Sequence, residues 1–311
     1  MALFLRLLAV LAAAIAVPAA LSSPVPTPIP IVVDTDIGTD IDDAFALALI
    51  LKCPELQLLG VTTVSGDTQA RARIAAKFLW SAGGRWRNVP VYAGSPGPTQ
   101  RLDQGRWAEG FSSPALHLDG AVPFLEQTFR ERPGKVTLVA LGELTNVASV
   151  LREGGVPARQ IRQIVLMGGA IRRGYRQGSP PEPEWNIRLN PAAAGAVFSS
   201  GIPIVMAPLD VTAMLQFDAA GRKRAFERAG DLAKPLEELY RLWGMETPTL
   251  FDPMAVAMLV NPEICRTERL SVWVDRQGMT QVREGQLPNT VAGVSVDPAA
   301  FLAFYLGRVA P

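Results

Sequence analysis

The sequence predicts an α/β protein with an open, mostly parallel, doubly wound (Rossmann-like) sheet flanked by helices. Two observations predict this fold class. Short runs of β-branched and other apolar residues alternate along the chain with segments typical of helices, which is the βαβ order of a parallel sheet. The runs are almost continuously apolar, as expected for strands that helices cover on both faces. With 311 residues and 49% hydrophobic content, the chain can bury a core large enough for such a sheet.

Residues 1–23 are predicted to be a signal peptide, and residues 24–28 a linker. Arg6 precedes an apolar run over 7–17 that is too short to span a bilayer and is followed by Pro18 and small residues. An uncleaved anchor or a buried helix is the alternative. Cleavage between Ala20 and Ser23 predicts a secreted or periplasmic protein with no stable membrane association, in which residues 29–311 form a single domain.

The remaining elements follow in order along the chain. The predicted strands are 29–33, 56–64, 135–141, 161–167 and 202–207. The predicted helices between them are 42–52, 68–81, 122–132, 146–152 and 191–199. The region 168–186 is rich in Gly, Pro and Arg, and it is predicted to be a long loop that forms one wall of an active site. Further on, 270–282 is predicted as a hairpin around 275–278, and 297–308 as a closing helix.

The net charge limits the class of partner, and the number of cysteines limits the possible disulfides. The formal net charge is +1, with both signs interspersed, so no nucleic-acid partner is predicted. Cys53 and Cys265 are the only cysteines. They could pair in an oxidising compartment, but the sequence does not place them near each other, and two buried free thiols are the favoured interpretation.

The stretch "VVDTDIGTDIDD" over 32–43 contains five aspartates and no Lys or Arg. It begins at the carboxyl end of the first predicted strand, which is where open parallel sheets bind ligands. Helix capping could explain one or two of these aspartates and is worth about 1 kcal/mol, whereas uncompensated buried carboxylates cost several. A bound hard cation with oxygen ligands is the better explanation. With one His and two Cys in the chain, a zinc site is poorly supported.

An aspartyl-phosphate site is a weaker alternative for the same stretch. It would use Asp34 as a nucleophile and Asp36 as the second Asp, two residues later, and this spacing is present. Such a site also needs a later Lys, for which the sequence offers no convincing candidate.

The segment "DTDIGTDIDDAFAL" resembles the N-terminal signature of the inosine–uridine-preferring nucleoside hydrolases, with two extra residues before the Asp pair. Six further motifs resemble that family in the same order: "GVTTVSGD" at 60–67, "LGELTNVA" at 141–148, "IVLMGGA" at 164–170, "EPEWNIRLNPAAA" at 182–194, "GIPIVMAPLDVT" at 201–212 and "FDPMAVA" at 251–257. The resemblance implies the nucleoside hydrolase fold and a catalytic domain over 29–311. It also implies calcium-dependent hydrolysis of ribonucleosides to free base and ribose, and a homodimer or homotetramer.

The resemblance also implies a role for particular residues. The Ca²⁺ ligands would be Asp36, Asp43, the carbonyl of Thr145 and Asp252, with Asp36 acting in addition as the general base on the metal-bound water. Asp42 would hydrogen-bond a ribose hydroxyl, while Glu184 and Asn186 would hold the sugar from the far wall. Hydrolysis through an oxocarbenium-like transition state suits such a ring of carboxylates.

Some positions depart from the family pattern. Phe251 stands where the family usually has a His that helps to protonate the leaving base, and Phe cannot donate a proton. The only His, His117, is a candidate replacement, and Trp185 is a candidate for stacking on the base. Asp67 replaces an Asn and is predicted to contact the substrate. Asp40 falls in the two-residue insertion and has no assigned role.

Because of Phe251, a second hypothesis stays open: a calcium-containing protein that binds nucleosides or sugars with weak or lost catalysis. An Asp-dependent phosphatase is a third and less favoured hypothesis. Asp34 is predicted to orient the loop rather than to contact the substrate.

Overall fold

The computed structural model describes residues 27–152 and 156–311. The predicted signal peptide over 1–23 and residues 24–26 of the predicted linker lie outside the described residues. Within the described ranges, no helix is both long enough and apolar enough to cross a bilayer.

The described residues form eleven strands and eleven α-helices. The strands are β1 (Ile29–Thr35), β2 (Leu56–Thr63), β3 (Val91–Ala93), β4 (Leu116–His117), β5 (Thr137–Ala140), β6 (Gln163–Met167), β7 (Ile204–Ala207), β8 (Cys265–Leu270), β9 (Val272–Val274), β10 (Thr280–Val282) and β11 (Thr290–Val296). The helices are α1 (Asp42–Lys52), α2 (Thr68–Ala82), α3 (Ala121–Glu131), α4 (Thr145–Arg152), α5 (Trp185–Leu189), α6 (Pro191–Phe198), α7 (Leu209–Thr212), α8 (Ala219–Arg228), α9 (Ala233–Trp243), α10 (Phe251–Val260) and α11 (Pro298–Val309).

Nine of these strands form one sheet in the order β4-β3-β2-β1-β5-β6-β7-β11-β8. Every neighbouring pair is parallel except β11 and β8. Side chains of β1 alternate between two cores: Ile31 and Val33 pack into the one that contains α1, and Val32 into the one that contains α3 and α4. The predicted open, mostly parallel sheet with helices on both faces is therefore confirmed.

The order of the strands places a crevice beside β1. From β1 the chain proceeds outward through β2, β3 and β4, and it then returns to β5 on the opposite side of β1. The loops that follow β1 and β5 consequently leave the sheet in opposite directions. Ligands bind in such a crevice, beyond the carboxyl ends of the strands.

Two apolar helices, α1 and α10, border this crevice. All residues of α1 from Asp42 to Leu51 are buried, as are all residues of α10 from Asp252 to Leu259. A helix that is apolar all round belongs in the interior, and these two pack against each other. Their first turns, which contain acidic residues, are brought together as a result.

The predicted elements are confirmed with ends that shift by one or two residues. The hairpin is formed by β9 and β10, the closing helix is α11, and both cysteines are buried free thiols. Four strands and five α-helices were not predicted: β3, β4, β8, β11, α5, α7, α8, α9 and α10. β3 and β4 are too short to show a pattern, and β8 ("CRTERL") is a largely polar edge strand.

Candidate active site

A cavity of about 240 Å³ opens at the carboxyl ends of the central strands. Its lining divides into two sides. The acidic side consists of Asp36, Asp40, Asp42, Asp43 and Asp252, and the aromatic side of Tyr175, Trp185 and Phe251. Between these two sides the lining consists of Thr39, Leu141, Met167, Glu184 and Asn186.

Three carboxylates of the acidic side approach one another closely. Asp42 and Asp43 lie in the first turn of α1 and Asp252 in the first turn of α10, and each offers an oxygen within 4.8 Å of the others. The Asp43 carboxylate accepts a hydrogen bond from the Thr35 hydroxyl, and that of Asp42 accepts one from the N–H of Asp252 at 3.2 Å. The second carboxylate oxygen of Asp252 is buried and has no partner among the described residues.

The electrostatics of this side are unfavourable without a cation. Burial raises the pKa of Asp42, Asp43 and Asp252, and repulsion among the carboxylates raises it further. Burial also raises the pKa of Asp36, although the guanidinium of Arg71 opposes this, and it raises the pKa of Asp40 to about 6. Among the described residues, no Lys, Arg or His lines the cavity.

This arrangement fits a hard divalent cation. It offers several anionic oxygens, one of which has no partner, and no described side chain that lines the cavity is a cation. Among the carboxylates, the grouping differs from the predicted ligand set in one respect: Asp42, rather than Asp36, lies with Asp43 and Asp252 in the tightest group. Asp36 lines the same cavity.

Glu184 is fixed between the two sides by backbone donors. It precedes α5, and its carboxylate accepts N–H hydrogen bonds from Asn186 at 3.0 Å, Gly169 at 2.9 Å and Ile187 at 3.2 Å. Burial raises the pKa of Glu184, and these three N–H groups oppose the rise. The carboxylate is thus held rigidly at the cavity.

Asn186 is oriented in a similar way. Its amide nitrogen donates to the carbonyl of Leu141 at 2.8 Å and to that of Met167 at 3.2 Å. With both N–H groups committed to the ends of two strands, the amide oxygen is the polar atom that remains for a ligand.

The aromatic side is built from the predicted loop and from the start of α10. Tyr175 and Trp185 are each 37% exposed. The Tyr175 ring meets Phe251 edge-on, with centroids 6.1 Å apart. The Tyr175 hydroxyl accepts from the N–H of Trp185 at 2.8 Å and lies 3.5 Å from the Glu184 carboxylate. Tyr175 was not predicted from sequence; its place as an aromatic residue in a loop already predicted to wall the site was the available signal.

The loop that supplies this side is anchored by Asp210, which sequence reasoning also missed. Asp210 is buried in α7 and accepts from the N–H groups of Ile171 and Arg172, both at 2.8 Å. It lies in the motif "GIPIVMAPLDVT" at 201–212, for which the sequence predicted no role of Asp210.

Three predicted site residues are not part of the cavity lining. Asp67 caps α2 by accepting from the N–H of Ala70 at 3.0 Å, and it lines a different cleft. His117 lies on the edge strand β4, where it stacks on Tyr92 with centroids 4.3 Å apart. Thr145 begins α4 after β5, and its hydroxyl accepts from Asn190 at 2.9 Å.

The two aspartates of this stretch for which no ligand contact was predicted, Asp34 and Asp40, differ from each other. Asp34 is fully buried and does not line the cavity; it accepts from Thr62 at 2.6 Å and from Asn146 at 2.8 Å, and burial raises its pKa to about 7. Asp40 does line the cavity, and its carbonyl accepts from Gln104 at 2.6 Å. Asp34 therefore ties β1 to its neighbours, whereas Asp40 faces the ligand space.

Known proteins resemble this chain over most of its length. The model of the family described as inosine-uridine preferring nucleoside hydrolase matches residues 31–303. The chain is 34% identical to the pyrimidine-specific ribonucleoside hydrolase RihA of Citrobacter koseri over 301 residues, which cover 86% of this chain and 95% of that protein.

Two solved structures are similar as well. A purine-preferring ribonucleoside hydrolase from Gardnerella vaginalis has a TM-score of 0.75 at 26% identity and covers 90% of this chain and 98% of its own. A plant nucleoside hydrolase, PpNRh1, has a TM-score of 0.79 and covers 91% and 99%. At 23% identity, this second likeness concerns the fold.

Proposed function

The chain belongs to the inosine-uridine preferring nucleoside hydrolase family and is an N-glycosidase; we propose that it hydrolyses ribonucleosides to free base and ribose in a calcium-dependent reaction. The observation that carries this proposal is the buried group of Asp42, Asp43 and Asp252 beside Asp36, with one carboxylate oxygen left without a partner. Such a group is costly unless it binds a cation.

The proposed ion is calcium because the donors are all oxygens and are numerous. Asp43 and Asp252 would hold it, together with Asp36 or Asp42. The resemblance to the family adds the Thr145 carbonyl, although Thr145 does not line the cavity. When bound, calcium supplies an anchor for sugar hydroxyls and a Lewis acid that activates water.

The chain's own carboxylates perform the remaining steps of the proposed mechanism. Asp36 accepts the proton of the attacking water as general base. Asp42 accepts a hydrogen bond from a ribose hydroxyl, and Glu184 and Asn186 hold the other edge of the sugar. As the bond to the base breaks, positive charge develops on the ribosyl carbon, and the buried carboxylates stabilise it electrostatically.

The aromatic side offers the leaving base packing rather than a proton. Phe251 has no donor, and burial raises the pKa of the Tyr175 phenol, so that it is a poor acid. We therefore propose that the base is held by contacts with Tyr175, Trp185 and Phe251 and takes its proton from solvent. The names of the relatives point to pyrimidine nucleosides in one case and purine nucleosides in another, so both classes belong in the test.

The absence of a donor at Phe251 also favours a second candidate: a nucleoside- or sugar-binding protein with weak turnover. The same experiment separates the two. Release of reducing sugar is measured from inosine, guanosine, adenosine, uridine and cytidine, with and without EDTA, and again after calcium or magnesium is restored.

We expect turnover of at least one nucleoside that EDTA abolishes and calcium restores. Ribose binding without turnover of any nucleoside would instead support the second candidate. Restoration by magnesium alone would contradict the choice of calcium.

We also propose that the protein is exported. The sequence of residues 1–23 supports this proposal. N-terminal sequencing of the protein recovered from its native cells tests it: the mature chain is expected to start between residues 21 and 23, and a chain that starts at Met1 would contradict export by cleavage.

A further inference from the structure

Arg71 is the largest side chain in the described residues that is fully buried. It lies in α2, outside the cavity lining. A guanidinium has five N–H donors, and all five have an acceptor here: the carbonyl of Ser65 at 2.8 Å, the carbonyls of Asp36 and Ile37, the Thr39 hydroxyl at 2.9 Å and the Gln100 side-chain carbonyl at 2.8 Å.

Three of these five acceptors belong to residues 36–39, the loop between β1 and α1. Gly38 in this loop has φ +117°, and a Cβ there would approach Leu102 to 2.6 Å. The loop is neither helix nor strand, and two of its carbonyls, those of Asp36 and Ile37, accept hydrogen bonds from Arg71. Without the guanidinium, the buried carbonyls of Asp36 and Ile37 would lose this donor.

No ion pair among the described residues neutralises the charge of Arg71, so this charge can act on the carboxylates of the cavity. Among the described residues, Arg71 forms no salt bridge within 4.0 Å, since its acceptors are carbonyls, a hydroxyl and an amide. Its positive charge therefore opposes the rise in the pKa of Asp36 and Asp43 and favours the charged carboxylate of both. The Arg71 guanidinium therefore stabilises the same carboxylates that a proton or a bound metal ion would stabilise, and unlike these two it is part of the protein.

We propose that Arg71 is a positioning residue for the reaction: by binding the Asp36 and Ile37 carbonyls and the Thr39 hydroxyl, it fixes the loop so that the Asp36 carboxylate faces the acidic side of the cavity. This inference rests on the proposed function. Arg71 does not touch the substrate; it acts through Asp36.

The geometry explains why the residue is Arg. Its acceptors come from three separate segments, at 36–39, at Ser65 and at Gln100, which a rigid planar fork can reach at once. A Lys has its three donors on one nitrogen and cannot satisfy acceptors this far apart. Arg71→Lys therefore keeps the positive charge but loses the set of hydrogen bonds that fixes the loop. Comparing it with Arg71→Met separates the effect of the charge from the effect of the hydrogen bonds.

The test compares Arg71→Lys and Arg71→Met with matched changes at Arg222. Arg222 is also buried, in α8, where it donates to the carbonyl of Phe217, and it does not line the cavity. Three quantities are measured: amide hydrogen exchange over residues 36–43 in the metal-free protein, the calcium concentration at half-saturation, and kcat and KM for the best nucleoside.

For Arg71→Met we expect faster exchange over 36–43, calcium binding weakened about 10- to 100-fold, as for other residues that orient ligands, and a larger change in kcat than in KM. Arg71→Lys is expected to lie between Arg71→Met and wild type. The Arg222 variants are expected to lower the melting temperature while leaving the loop exchange, calcium binding and kcat unchanged.

The inference is overturned if both Arg71 variants keep wild-type exchange over 36–43 and stay within twofold of wild type in calcium binding and kcat. Should Arg71→Met fail to fold, Arg71→Lys and Gln100→Leu, which removes one acceptor, are expected to give the same changes at smaller size. If the wild-type protein hydrolyses no nucleoside, the proposed function fails, and exchange in the metal-free protein still decides the role of Arg71.

Discussion

The acidic and aromatic sides of the cavity are built on different principles. The acidic side comes from the first turns of two buried helices and from the loop after the central strand. Four of its five carboxylates are almost wholly shielded from solvent, and Asp40 is partly exposed. The aromatic side comes largely from a surface loop, and Tyr175 and Trp185 remain partly exposed. The buried acidic side suits the bond-breaking chemistry that a family shares. The aromatic side lies on a surface loop, through which the selectivity between substrates can be adjusted.

The largest expected effect lies on the acidic side. Asp36→Asn removes the proposed general base while preserving shape, and kcat is expected to fall about 10²- to 10⁴-fold. Steady-state kinetics on the best nucleoside measure this. Asp218→Asn is the matched control, because Asp218 is an exposed helix cap on α8. Full activity of the Asp36 variant would remove the acidic side from the mechanism.

Calcium removal is expected to lower the free energy of unfolding, because the carboxylates of the acidic side then repel one another. At a calcium concentration about 100 times Kd, binding adds about 2.7 kcal/mol to the free energy of unfolding, which corresponds to about 4–5 °C in melting temperature for a chain of this size. Calorimetry with EDTA and with calcium checks the shift. Equal melting temperatures would mean that the carboxylates bind no calcium.

The pH dependence of the metal-free protein provides a control. The raised pKa values mean that the folded carboxyl groups still hold protons that the unfolded chain has released. Without calcium, stability should therefore fall as the pH rises, in particular through about 6, where Asp40 titrates. Calcium should flatten this dependence.

Asp252→Asn should change stability and metal binding in opposite directions. It removes one of three crowded carboxylates, so the metal-free protein is expected to become more stable, in keeping with the raised pKa that burial and neighbouring carboxylates give Asp252. It also removes an anionic ligand, and calcium binding should weaken. Melting temperature without metal and a calcium titration are the two measurements. A loss in both would indicate that the Asp252 carboxylate is needed for packing rather than for the ion.

The smallest effect is expected on the aromatic side. Phe251→His introduces a proton donor beside the leaving base, and kcat/KM for at least one nucleoside is expected to rise up to about tenfold, less than a fully evolved acid supplies. The rise should appear below the pKa of the new imidazole and be lost above it. Lower activity on every nucleoside would show that packing, not proton supply, limits this side.

Much of the acidic side could be predicted because one local segment contains it. "DTDIGTDIDD" places its carboxylates at the end of an apolar strand and at the start of an apolar helix, and both elements have strong patterns. That Asp252 joins these carboxylates could be predicted only from the resemblance to the family, because no local pattern links residue 252 to this segment.

The remaining features could not be predicted because they depend on tertiary contacts. Tyr175 enters the cavity because its hydroxyl meets the N–H of Trp185, and His117 stays outside because β4 is an edge strand. Asp67 caps a helix, a role that only the structure distinguishes from ligand binding. Arg71 has no local signal, as its acceptors come from segments that only the folded chain assembles.

The contact between the N–H of Asp252 and the carboxylate of Asp42 joins residues 210 positions apart. Loop closure of this length is slow and depends on most of the intervening chain having folded. An N-terminal piece of the protein, even one that extends through β7, holds only part of the acidic side. Nucleoside hydrolysis is therefore expected to emerge only after most of the chain has been synthesised, and no product that ends before α10 should retain it.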